Sequence, residues 1–423
     1  MARQISTNSI DTAGSRRRRA NSMGTVGPGA VVLVAAALML FGLVMIASAT
    51  VSLDRPLFGA HFWHTPAGRQ AVFVAVGLVL MACTVRISVP LLDWNGFRRY
   101  SPGILYAVAV LLLVAAFVPG LADPHRGSNR WLRLAPLGLD FGFQPSEIAK
   151  LALVFALAWL LADRGKDARS FRAVFLPCAL VTALCVGLVG KENLGTAALL
   201  ACVAAAMLTI GGCRLLHLTL LASMGLSGLT TLLFAAPYRL ERLIAFQDIW
   251  ADPQGKGYQP IQSLTSIASG GWLGVGLGGG VQKFGYLPES HTDFIFAIIC
   301  EETGLVGAGL VIGLFCALAW LGLRIMQCAI SPFERLLAFG LTLIVTLQAA
   351  MNIAVVTVSM PTTGVPLPML SAGGSGLLTV SIALGLLGGI AERSRRAAVG
   401  LVGDKRRDAP SGSFSAVPAA VSL

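Results

Sequence analysis

Charge is scarce in this chain. Asp, Glu, Lys and Arg together make up 12% of its 423 residues, against roughly 25% in an ordinary soluble domain. That deficit excludes a water-soluble globular protein. No CxxC pair occurs among the eight cysteines, at 83, 178, 185, 202, 213, 300, 316 and 328. Most stand inside apolar runs and read as small buried hydrophobes, neither zinc ligands nor a disulfide framework. No internal repeat of convincing strength occurs, which weighs against a transporter built from inverted halves. The first apolar run, near 28–50, is too long for a cleavable signal peptide and lacks a clear small-residue cleavage site. The net charge of +12 sits in tails and loops. That pattern orients a membrane protein and gives no reason to expect a nucleic acid partner.

What is abundant is apolar sequence: 55% of residues are hydrophobic, and mean hydropathy is +0.76. Runs of about 20 residues recur along nearly the whole chain, each long enough to span a hydrocarbon core of about 30 Å. The expected fold is all-α and integral to the membrane. Ten transmembrane helices are expected near 28–51, 70–92, 102–119, 145–162, 172–190, 194–211, 214–236, 292–324, 335–358 and 372–391. Residues 1–26, with a run of arginines at 16–19, read as a disordered basic cytoplasmic arm. Residues 27–395 form the membrane domain, and 396–423 read as a disordered cytoplasmic tail. An even number of spans puts both termini on one side, and the density of Lys and Arg there names it cytoplasmic.

The outer side then carries loops at 52–69, 120–144, 237–291 and 359–371. Arg126, Arg130, Arg133, Arg239, Arg242, Lys256 and Lys283 lie on it against the usual bias, either for an anionic ligand or for lipid headgroups. The loop 237–291, between the seventh and eighth helices, is the longest and has no obvious regular structure. It holds seven glycines between 270 and 280, which permit close approach of backbone to a ligand. GGWLGVGLGGG lacks the strand–turn–helix setting of a dinucleotide fingerprint.

Residues 286–302 read YLPESHTDFIFAIICEE. Glu289, His291 and Asp293 stand just ahead of an apolar run, where ionisable groups are costly and are functional candidates by default. Two readings of Asp293 are open: a base near a reacting hydroxyl, or position N3 of a capping box with Ser290 as N-cap. Glu289, His291 and Asp293 would together suit a divalent cation, Mg2+ or Mn2+, or serve as hydrogen-bonded loop residues; no other cofactor is expected. Glu147 and Lys150 are three apart on a helix opening at Pro145 and Ser146, so they share a face. They form either a structural ion pair or a cavity-lining pair with Lys150 near phosphate. Arg130 and Arg133 flank Trp131, as a phosphate contact or an interfacial anchor. Glu301 and Glu302 read as helix-packing residues, and Asn352 as a hydrogen bond between helices.

Several blocks together resemble one family. GSNRWLRL (127–134), FQPSEIAKLAL (143–153), the stretch 258–307 around HTDFIF, and MPTTGVPLPMLSAGGSG (360–376) are similar to the SEDS proteins (shape, elongation, division and sporulation), the membrane glycosyltransferases that polymerise bacterial peptidoglycan. QKFGYLPESHTD resembles the FtsW division branch more than the RodA elongation branch. The resemblance implies a SEDS-type fold in the bacterial cytoplasmic membrane and a role at the division septum. It implies lipid II, an undecaprenyl-pyrophosphate-linked disaccharide pentapeptide, as substrate, with inversion at the sugar. The implied partners are a single-spanning class B penicillin-binding protein and other divisome or elongasome membrane proteins. Asp293 takes the family's essential acid position, with Glu147, Lys150, Arg130, His291, Glu289, Lys283 and Ser371 around the substrate. The chain departs from the family at Glu192 and Asn193, where a Pro-Asp turn is usual, and at Ala372 and Gly376, where an aromatic and a hydroxyl are usual. A lipid II flippase and a non-catalytic division scaffold are the rival readings.

Overall fold

A computed structural model describes residues 26–50, 65–118, 122–125, 128–133, 142–165, 169–234 and 237–407. The expected arm at 1–26 lies outside them but for Val26, as does residue 408 onward of the expected tail. Helices form at each of the ten segments where apolar runs predict them. They are α1 (Pro28–Thr50), α2 (Pro66–Asp93), α3 (Asn95–Ala115), α4 (Pro145–Asp163), α5 (Leu176–Glu192), α6 (Leu194–Ile210) and α7 (Leu215–Phe234), then, after α8 (Pro237–Gln247) and α9 (Tyr258–Gly270), α10 (Ile295–Cys328), α11 (Pro332–Val356) and α12 (Gly374–Arg407). Among the described residues seven are long and apolar enough to cross a membrane: α1, α2, α4, α10, α11, α12, and α5 with the turn that precedes it. In α3, α6 and α7 the apolar stretch is shorter.

Helix starts follow capping rules. Proline opens α1, α2, α4, α8 and α11, where its missing N–H costs nothing. Thr65 Oγ1 accepts from Gly68 N at 3.1 Å and Ser331 Oγ from Glu334 N at 3.2 Å, each satisfying an orphan donor of a first turn. Asn193 does the same between α5 and α6, accepting from Thr196 N at 3.1 Å, so the departure at this position supplies a competent cap. At the end of the bundle away from Asp293, Arg393 of α12 bridges Asp93 of α2, at 2.5 Å, and the buried Glu334 of α11. The last helix runs to Arg407, through the first part of the segment expected to be disordered.

Two expectations are corrected. The outer segment 237–291 is not without regular structure. In α8, Leu240, Leu243 and Ile244 recur at helical spacing, and α9 buries Pro260, Ser263, Ser266 and Gly270 on one side. Nor are all the cysteines buried: all eight are free, but Cys83, Cys202 and Cys316 face outward, on helices whose outer surface is apolar. A short antiparallel sheet, β1 (Ala122–His125), β2 (Ser128–Arg133) and β3 (Gly142–Phe143), occupies the loop before α4.

The glycine-rich run docks on protein. Gly304 (φ 64°, ψ −163°) breaks α10 into a segment 295–303 and a longer one, 305–328. The run seats in the break: Val275 N donates to Glu301 O (3.0 Å), Gly276 N to Glu302 O (3.1 Å), Leu305 N to Gly271 O (3.0 Å) and Val306 N to Trp272 O (3.2 Å). These replace the ladder bonds that the break removes. Gly274 (φ 79°) permits the approach, since a Cβ there would lie 2.1 Å from Glu302 O. Gly274→Ala meets both that clash and a left-handed backbone costing about 1–3 kcal/mol. We expect a lower thermal unfolding midpoint in detergent, and an unchanged midpoint would contradict the docking.

Candidate functional site

Asp293 sits in a turn that precedes α10. Glu289 is left-handed (φ 57°), and its carbonyl accepts from both Thr292 N (3.1 Å) and Phe294 N (3.2 Å). This winding delays the helix to Ile295, with Phe294 at the N-cap position. The expected capping box is therefore not formed: Ser290 is not the N-cap and Asp293 is not N3. The Glu289 carboxylate accepts from Thr292 Oγ1 at 2.6 Å.

Three successive carbonyls of the turn are held from outside it. Ala372 N donates to His291 O (2.9 Å), Ser371 Oγ to Thr292 O (2.7 Å), and Asn352 Nδ2 to Asp293 O (2.8 Å). Asn352 Nδ2 also reaches Val365 O at 2.8 Å, while Ser371 Oγ accepts from Leu367 N at 2.7 Å. Gln70 of α2 braces the same loop, donating to Ser371 O (3.5 Å) and accepting from Gly373 N (3.3 Å). Each such bond is worth about 0.5–1.5 kcal/mol net. Together they fix the backbone of a half-buried aspartate whose side chain stands at the mouth of a helix.

Glu147 and Lys150 meet on α4 as their spacing predicts, Nζ 2.8 Å from Oε2, each side chain 6% exposed. Lys150 Nζ also donates to Gln348 Oε1 at 2.7 Å, and Gln348 Nε2 donates to Pro366 O at 2.9 Å. Gln348 and Asn352 are one turn apart on α11, hence neighbours on one face, and their carbonyl partners, Pro366 and Val365, are adjacent. The lysine pair and the aspartate turn are thus joined through α11 and the loop before α12. A narrow crevice with room for little more than a water molecule lies beside the pair, lined by Glu147, Lys150, Gln348 and Thr379. A second narrow crevice opens by Gln144, Ser146, Glu192 and Asn193. A Cβ at Gly376 would lie 3.5 Å from Glu147 Oε2, so the hydroxyl usual at this position would fall beside the carboxylate.

The remaining candidates divide. Ser371 lies at the site, with its hydroxyl already engaged by Thr292 and Leu367. Lys283 is drawn elsewhere, into a buried ion pair with Glu302 at 2.9 Å. Arg130 lies on β2; its side chain is outside the described residues, as are those of Arg133 and Arg239. The expected cation set of Glu289, His291 and Asp293 is not assembled: no cluster of three His, Cys, Asp or Glu side chains suited to a metal ion occurs among the described residues. Gln70 and Gln348 were not anticipated, although an amide in an apolar run or at its edge is a costly placement that signals a partner.

The geometry presents a carboxylate on an immobilised turn, joined through α11 and the loop before α12 to a buried cation whose charge is balanced by one carboxylate. It suits removal of a proton at one point and stabilisation of an anion at another. Comparison with known proteins agrees in extent as well as in kind. Residues 29–396 match the FtsW/RodA/SpoVE cell cycle protein family. Stage V sporulation protein E of Bacillus subtilis is 36% identical over 86% of this chain and 97% of its own. The probable peptidoglycan glycosyltransferase FtsW of Geobacter sulfurreducens is 37% identical over 87% and 95%. Among solved structures, a chain from a peptidoglycan synthase complex that coordinates polymerisation and crosslinking superposes with a TM-score of 0.66, 27% identity, and coverage of 88% and 99%. The rod shape determining protein RodA of Thermus thermophilus gives 0.59, 26%, 85% and 95%. The chain belongs to the FtsW/RodA/SpoVE family of cell cycle proteins, the SEDS family that its sequence blocks resemble.

Proposed function

We propose that this protein is a peptidoglycan glycosyltransferase that polymerises lipid II at the outer face of the bacterial cytoplasmic membrane during septal wall synthesis. The observation that carries the reading is the immobilised Asp293 turn joined through α11 to the buried Glu147–Lys150 pair. Asp293 takes the proton from the 4-hydroxyl of the acceptor GlcNAc. The oxygen attacks the anomeric carbon of the donor MurNAc as its bond to undecaprenyl pyrophosphate breaks. One displacement inverts that carbon, so one base suffices and no covalent sugar–enzyme intermediate forms. Lys150 stabilises the negative charge on the departing pyrophosphate, and Glu147 orients Lys150. The partner is a class B penicillin-binding protein; that a related chain occurs in a complex coupling polymerisation to crosslinking supports this choice. Purified protein with its partner, given lipid II in proteoliposomes, is expected to yield glycan polymer. Transfer of lipid II between leaflets without polymer would replace this reading with a flippase.

In this reading all ten long helices cross the membrane, α3, α6 and α7 included, with both termini cytoplasmic and the segment from α8 to Asp293 outside. The density of Lys and Arg at the terminal side supports that orientation. Gln254 lies exposed between α8 and α9. In a background with the eight native cysteines replaced, Gln254→Cys is expected to react with an impermeant thiol reagent on intact cells. Reaction only after permeabilisation would invert the topology.

A further inference from the structure

Residues 283–302 form a closed loop with Asp293 near its tip, and its base is shut by buried polar side chains. Lys283 Nζ lies 2.9 Å from Glu302 Oε1, the two side chains 1% and 0% exposed, and donates to Ser48 O of α1 at 3.1 Å. Ser48 Oγ donates to Glu302 Oε2 at 2.5 Å and accepts from Gly278 N at 2.9 Å. Glu301 Oε1 accepts from Val281 N (2.7 Å) and Gln282 N (3.3 Å), and Oε2 from Ser266 Oγ of α9 (3.1 Å). Every oxygen of the two carboxylates is engaged, as burial of charge requires.

The two arms between base and tip have little freedom. On one, Leu287 N donates to Gln282 O at 2.9 Å, and the Leu287 side chain is buried. On the other, every residue from 294 to 302 is buried, so this short helix is packed all round. Gly304 separates it from the membrane-length segment that follows. At the break its far end is held by the docked glycine-rich run and by what the Glu301 and Glu302 side chains grip.

We propose that Lys283, Glu301 and Glu302 are positioning residues for Asp293, a clasp that fixes the rigid arm carrying the base. The inference rests on the catalytic reading of Asp293. It gives the buried ion pair a role in the rate of the reaction, with none in binding lipid II, because Lys283 Nζ is closed in by Glu302 and the Ser48 carbonyl with its side chain 1% exposed. A misplacement of about 1 Å at a base costs up to about 10²-fold in rate.

The test uses the purified protein with its partner and lipid II. Glu302→Gln keeps the size of the side chain and leaves Lys283 without its counter-charge. It is expected to lower kcat per folded molecule by up to about 10²-fold, leave KM for lipid II unchanged, and speed hydrogen exchange of the amides at 289–294. Lys283→Met with Glu302→Gln removes the stranded charge. It is expected to recover the thermal midpoint while kcat per folded molecule stays low, and it serves as the primary variant if Glu302→Gln does not fold. A normal kcat per folded molecule, or wild-type exchange at 289–294, would overturn the clasp. A raised KM with unchanged kcat would overturn it in favour of Lys283 as a substrate contact. Wild type and Asp293→Asn are measured alongside. If wild type makes glycan and Asp293→Asn does not, a normal Glu302→Gln refutes the clasp alone. If Asp293→Asn is as active as wild type, the catalytic reading falls and the inference falls with it.

Discussion

Asp293→Asn is expected to fold, to bind lipid II and its partner, and to make almost no glycan. Asparagine matches the aspartate in size and still accepts hydrogen bonds, but it is a very poor base. The bonds that hold the turn from α11 and the loop before α12 reach the carbonyls of His291, Thr292 and Asp293. They are backbone acceptors, indifferent to the change. A lost helix cap would cost about 0.5–2 kcal/mol of stability with chemistry intact. That signature is not expected here, because Asp293 lies outside α10. A lost base costs about 10²–10⁴-fold in rate. Thermal unfolding and glycan yield per folded molecule, measured on one preparation, separate the two. Near-normal yield would remove Asp293 from the mechanism and reopen the flippase and scaffold readings.

Local features of this fold were legible because they are written in periodicity and spacing. Apolar runs located the long helices, Pro145 and Ser146 marked the start of α4, and a spacing of three placed Glu147 against Lys150. What was not legible depends on partners distant in sequence. Gln348 lies 198 residues from Lys150, and Ser48 lies 254 from Glu302; no local pattern links them. The break in α10 was hidden because one glycine in an apolar run is ordinary in a membrane helix. Only the docking of Trp272 and Val275 across it gives Gly304 its meaning. The capping pattern at Ser290 and Asp293 misled for a conformational reason: Glu289 enters the left-handed region, so the chain turns once more before the helix begins. The glycines from 270 to 280 were read as room for a ligand, and the close approach they permit is to the backbone of Glu301 and Glu302.

Lys150→Ala is expected to reduce polymerisation by about 10²–10³-fold, the usual consequence of deleting one positioned donor to a developing negative charge. The substitution also strands Glu147, a carboxylate 6% exposed, and removes the donor to Gln348. Breaking a buried pair from one side destabilises by about 3–5 kcal/mol. A loss of activity alone therefore does not distinguish a lysine that meets pyrophosphate from one that holds α4 against α11. The paired variant Glu147→Gln with Lys150→Met does. Replacing both charges by neutral groups of similar volume is often close to neutral for stability, so the thermal midpoint is expected to return toward wild type. Polymerisation is not, since no cation remains beside the leaving group. A double-mutant cycle over the two positions reports the coupling in stability and in rate separately. Recovery of glycan synthesis in step with the midpoint would make the pair a structural strut. A restored fold with synthesis still absent assigns Lys150 to the leaving-group side of the reaction.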